Sequence, residues 1–137
     1  MRLSTRMVER PQVSAREQWR RDRAAALPMH TVFPSVASLQ FDLRFEDCDG
    51  VSPVGQRHIL HRAASAFFEF LCPYTNCSGK FDLAPLARVL VHDSSTRTTG
   101  SIVCAGHRSR DGVTSPPCAV RLVYVMEAAY LKSAEQV

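Results

Sequence analysis

Four of the five cysteines constrain what this chain can fold into more than any other feature. Cys72 and Cys77 bracket a short loop, Cys72-Pro-Tyr-Thr-Asn-Cys77-Ser-Gly79, and Cys104 and Cys118 form a second, more widely spaced group. Pro73 stiffens the first turn, and Gly79 stands two residues past the second thiol, where a tight cysteine loop needs an unhindered backbone. Cysteines paired in loops beside Pro and Gly are poor core positions. They are, however, the way a small chain supplies four soft donors to a tetrahedral ion, and the ion they point to is a structural Zn²⁺. The second group leaves two candidates for the fourth ligand. Cys104-Ala-Gly-His107 has the compact two-residue spacing and offers His107, whereas Cys118 offers a softer donor just ahead of an apolar strand. Cys118 is the expected ligand and His107 the alternative; Cys48, in an Asp-rich turn, is expected to be a bystander.

A metal crosslink has a physical purpose in a chain of this size. With 137 residues, 45% hydrophobic and 22% charged, the composition is globular, but a core drawn from about 100 residues is thin. The charge is uneven. Residues 1 to 30 hold seven arginines against Glu9, Glu17 and Asp22, which accounts for the whole net charge of +4, and the remainder is formally neutral. A neutral domain lacks the basic surface of a strong nucleic-acid binder, so a protein partner is expected ahead of nucleic acid. Any attraction to phosphates lies in the arm, through Arg16, Arg20, Arg21, Arg23 and Trp19. The odd number of cysteines, the absence of an 18-residue apolar run and the lack of a secretory-type apolar leader predict no transmembrane segment and a reducing, cytoplasmic setting.

Along the chain, Ser14-Ala-Arg-Glu17 reads as a capping box that starts a helix over 15–27, and Pro28 ends it. Its apolar stripe is weak, so it is expected to dock loosely or onto a partner. Leu39, Phe41, Leu43 and Phe45 alternate with polar residues and predict a half-buried strand over 38–46, followed by a turn at Asp47-Cys48-Asp49-Gly50. Residues 56–66 read as a short helix in preference to an irregular loop, 66–71 as a strand running into Cys72, and 83–91 as a helix with Asp82 at its start. Residues 93–99 read as a loop, 100–104 as a short strand, and 119–130 as the last strand. The expected organisation is a basic helical arm over 1–34, a metal-stapled domain over 35–131 and a tail over 132–137.

Over about residues 66 to 126, Cys72-Pro, Cys77-Ser-Gly79, Cys104 and Cys118 together resemble the zinc-ribbon group. In that group, two cysteine loops at the ends of β-hairpins clamp one zinc beside a small antiparallel sheet. The resemblance implies an α+β fold, a small antiparallel sheet with one or two short helices, and zinc as cofactor. It names no particular function, because such domains serve many. The function expected is a non-enzymatic, zinc-binding interaction module. A metal-dependent hydrolase or nucleic-acid-processing enzyme is the alternative, with His58 and His61 sharing a helix face beside Cys48 or Asp49. A thiol redox sensor is a further alternative. No Gly-rich phosphate loop, His-Glu-x-x-His or Gly-x-Ser-x-Gly motif is present.

Overall fold

The computed structural model describes residues 15–46, 54–73, 77, 79–106, 118 and 120–132. The elements run α1 (Ala15–Ala25), α2 (Met29–Val32), β1 (Val36–Glu46), β2 (Val54–His61), β3 (Glu69–Leu71), β4 (Lys80–Asp82), α3 (Ala84–His92), β5 (Arg97–Val103) and β6 (Arg121–Tyr130). The fold is α+β: among the described residues, an antiparallel sheet in the order β2-β1-β6-β5, a separate β3–β4 hairpin, and three helices, one of them N-terminal.

The sheet follows from the alternation in β1. Register pairs Leu39 with Ala128, Phe41 with Met126, Leu43 with Tyr124 and Phe45 with Leu122, so every inward position of the two central strands is apolar and buried. Their outward neighbours, Gln40, Asp42, Arg44 and Glu46, stay at the wet face, where Asp42 pairs with Arg57 at 2.6 Å and Glu46 with Arg44 at 2.8 Å. The hairpin lies over the inner face through aromatic contacts: Phe70 meets Phe41 with centroids 5.3 Å apart, and Phe81 meets Phe45 at 5.7 Å. Helix α3 completes the cover. Leu83, Ala87 and Leu90 recur at helical spacing on its buried side, and the Asp82 carboxylate accepts a hydrogen bond from the Ala84 N–H at 2.9 Å. Tyr130 donates its hydroxyl to Ser95 O at 2.6 Å and so ties the end of β6 to the chain leaving α3.

The segment after α1 is stitched to the body of the protein. Met29 N–H donates to Ala64 O, His30 N–H to Arg62 O and Ala66 N–H to Leu27 O, and both Met29 and Phe33 are buried in the core.

The helix or irregular loop expected over 56–66 is corrected in its first part: 56–61 belong to strand β2, in register with β1 from Ser38↔His61 to Phe45↔Val54, and 62–64 follow as turn and bend. As an edge strand it has inward positions that are only partly covered, and exposed Ile59 on the outer face stands beside half-covered Leu60, so its residue types show no period-two alternation. Two boundaries also shift. β3 keeps only Glu69–Leu71 of the predicted strand, and β5 begins at Arg97, inside the predicted loop. Gly100 in β5 lies directly under the ring of its cross-strand neighbour Tyr124, which covers the position where a side chain would stand. The capping residue Ser14 and the turn at Asp47-Cys48-Asp49-Gly50 lie outside the described residues.

Candidate metal centre

Two hairpins deliver the cysteines. Cys72 follows β3 directly and Cys77 precedes β4, while Cys104 follows β5 and Cys118 lies just ahead of β6. Backbone hydrogen bonds extend each ladder into its loop: Cys72 N–H donates to Gly79 O at 3.0 Å, Cys104 N–H to Val120 O at 2.8 Å and Cys118 N–H to Gly106 O at 2.8 Å. The four Sγ atoms consequently converge within 4.8 Å of one another. Cys72, Cys104 and Cys118 are buried and Cys77 is partly so. This is the one group of three or more such side chains with metal-holding geometry among the described residues.

The closest approaches run between the hairpins, Cys72 to Cys118 at 3.6 Å and Cys77 to Cys104 at 3.7 Å. None of the four forms a disulfide. Zinc–sulfur bonds of about 2.3 Å in a tetrahedron require sulfur–sulfur edges of about 3.8 Å, and the two closest pairs match that spacing. The loops also meet the electronic demand of such a site. Gly79 N–H donates to Cys77 Sγ at 3.3 Å and Gly106 N–H to Cys104 Sγ at 3.4 Å, bonds that favour the thiolate form. Without a cation, burial works the other way: it is the main cause that pushes the Cys104 thiol up to about 11, against the pull of the Gly106 N–H. A divalent ion offsets that cost and would displace the protons on binding.

Glycine is required twice, for space. A Cβ on Gly106 would stand 2.7 Å from Gly79 Cα and 2.8 Å from Cys77 Sγ, and one on Gly79 would collide with Cys104 Sγ and stand 3.1 Å from Gly106 N. The two Cys-x-Gly turns thus lie back to back, each leaving room for the other. Gly79 was legible in sequence, whereas Gly106 was not singled out. Its signal was there, because Cys104-Ala-Gly106 repeats the pattern of Cys77-Ser-Gly79.

The predicted ligands Cys72, Cys77, Cys104 and Cys118 are therefore brought together; His107 and Cys48 lie outside the described residues. His58 and His61 are not brought together. In strand β2 an offset of three residues sets them on opposite faces, which corrects the shared helix face expected of them. His58 turns inward onto Phe70, with ring centroids 4.8 Å apart, and bonds to Gln56 Oε1 at 2.9 Å, while His61 is exposed. Burial, helped by Arg23, holds the His58 pKa below its ordinary value.

Beside the cysteines, α1 is seated on β3 by its tryptophan. The Trp19 indole N–H donates to Glu69 O at 2.7 Å, its ring meets Phe67 edge-on at 5.8 Å, and the Arg23 guanidinium lies 5.4 Å from its centroid. No helix among the described residues is long and apolar enough to cross a membrane.

Comparison with protein-family models, with curated proteins and with solved structures finds no match for the chain.

Proposed function

We propose that the chain is a non-enzymatic interaction module whose fold is stapled by one Zn²⁺ held by Cys72, Cys77, Cys104 and Cys118. The observation that carries this reading is the convergence of four Sγ atoms from two hairpins within 4.8 Å, with Gly79 and Gly106 N–H groups aimed at two of them. Four soft thiolates suit zinc over harder cations. Four protein ligands leave no coordination position for water or substrate, which makes the metal structural. Cys118 rather than His107 completes the set, because its Sγ already sits 3.6 Å from that of Cys72. The pairing of two cysteine loops at hairpin ends supports the likeness to zinc ribbons and a reducing, cytoplasmic setting in which the thiols persist. Recognition of a partner then belongs to the surfaces that the metal holds in place.

The test is metal content by mass spectrometry on untagged, reduced full-length protein, with Cys72→Ser in parallel. One zinc per chain, lost in Cys72→Ser together with part of the thermal stability, is the expected result. Folded protein without metal, or an unchanged variant with full zinc, would overturn the reading.

A further inference from the structure

The metal-bearing hairpin forms one wall of a cavity of about 340 Å³, and helix α1 forms the other. Its lining brings together Arg16, Trp19 and Arg20 from the helix, Gln56 and His58 from β2, and Phe70 with Cys72 from the hairpin. Arg16, Trp19, Arg20 and Arg23 recur at intervals of three and four and so share one side of α1. Among the described residues none that lines the cavity is acidic. Among the described residues no carboxylate pairs with Arg16 or Arg20. The nearest acidic residue on the hairpin, Glu69, is engaged by Lys80 at 2.9 Å. A concavity of about 420 Å³ on the outer sheet face differs in this respect, because its Arg57 is paired with Asp42 and its Arg44 with Glu46. Guanidinium groups with no ion-pair partner among the described residues therefore converge at the first cavity and not at the second.

The same cavity is aromatic at its other end. His58 packs on Phe70, Trp19 supplies a third ring, and the Gln56 side chain bonded to His58 presents amide groups suited to the edge of a base. We propose that this cavity binds one nucleotide unit of a single-stranded nucleic acid, its base among Trp19, His58 and Phe70 and its phosphate on Arg16 and Arg20. Rings for base stacking beside a cationic track are how single strands are held, and duplex grooves demand a different, convex reader. The volume fits one unit of this size. The orientation follows from charge. A zinc ion bound by four thiolates carries net negative charge, so the wall at Cys72 repels phosphate and accepts the neutral base, leaving the phosphate to the arginines. This proposal rests on the zinc-stapled module, since the hairpin wall is ordered by the metal.

Trp19 is the single tryptophan of the chain and reports on its own cavity. The experiment titrates zinc-loaded full chain with an oligouridylate of roughly ten nucleotides, within the span of single-strand sites, following Trp19 fluorescence while zinc content is measured on the same samples. Saturable quenching is expected, weakened at least tenfold in Arg16→Gln/Arg20→Gln and falling steeply with added salt. UMP alone should bind far more weakly than the oligomer; equal affinity would make the ligand a free nucleotide and overturn the single-strand assignment. No quenching by either probe, or quenching by poly-glutamate in their place, would overturn the proposal and, in the second case, transfer the face to an acidic protein. Loss of response accompanied by loss of zinc would count against the module itself, and loss with full zinc against the cavity alone.

Discussion

Between β1 and β6 nine residue pairs stand in unbroken register, from Ser38↔Ala129 to Glu46↔Arg121, and the inward positions are filled by Phe, Leu, Met, Tyr and Ala, whereas β3 and β4 share three pairs and then give way to cysteine loops. The first region is held by apolar area and a long ladder, which are cumulative and need no ligand. The second is too short to be stable as a hairpin on its own, and its two cysteines gather with Cys104, a thiol whose burial is unfavourable for the charged form. Hydrophobic periodicity organises one end of the molecule, and four cysteines placed where they could bind a metal gather the other. Phe70 and Phe81, which face β1, are the hinge between the two.

The largest expected effect comes from removing the metal. Structural zinc contributes on the order of 10 kcal/mol to folding in small sites. Stripping it with a strong chelator should abolish amide-exchange protection in β3, β4 and the cysteine-flanking ends of β5 and β6 before it affects the centre of β1. Simultaneous loss everywhere would show that the two regions are one cooperative unit. Next is Phe41→Ala, which empties a fully buried position at the junction of sheet and hairpin. A loss of about 3–5 kcal/mol is expected, read as an earlier denaturant midpoint, with zinc retained until the sheet unfolds. Gly106→Ala should act oppositely in location. Overpacking against Gly79 and Cys77 should cost about 1–3 kcal/mol and appear as weaker zinc retention in a chelator competition, with the exchange protection of β1 unchanged.

The smallest effect belongs to the wet face of the sheet. The Arg57 side chain, hydrogen-bonded to Asp42, holds the Asp42 carboxyl below its ordinary value of 3.8, with Gln40 assisting. A carboxyl depressed in the folded state adds stability above its unfolded pKa and loses it as pH falls through the folded one. Asp42→Asn should therefore be slightly less stable than the parent at neutral pH, and the two melting curves should converge below the ordinary carboxylate range. The pair is exposed enough that the difference is expected to be small. A large difference would mean the ladder of β1 depends on its outer face, against the comparison drawn above.

Legibility in the sequence followed the same division. β1 and α3 could be read because each buries one side completely: Phe41 alternates with solvated neighbours, and Leu83, Ala87 and Leu90 recur at helical spacing. The cysteine set was readable because loop cysteines beside Pro and Gly have few other uses. β2 was not, since an edge strand with exposed Ile59 beside half-covered Leu60 carries no alternation, and the error over His58 and His61 followed from it. Gly106 was overlooked because it matters only through its contact with Gly79, a long-range relation that no local window contains. The seat of α1 escaped for the same reason: one indole reaching Glu69 O, fifty positions away, leaves no periodic trace.

The most direct test of the zinc staple is X-ray absorption at the zinc edge on the purified, reduced full chain. The account predicts a single shell of four sulfur scatterers at about 2.3 Å, with no nitrogen or oxygen in it. A shell containing an imidazole nitrogen would replace Cys118 with a histidine, and a protein that folds with no zinc signal would contradict the central claim outright.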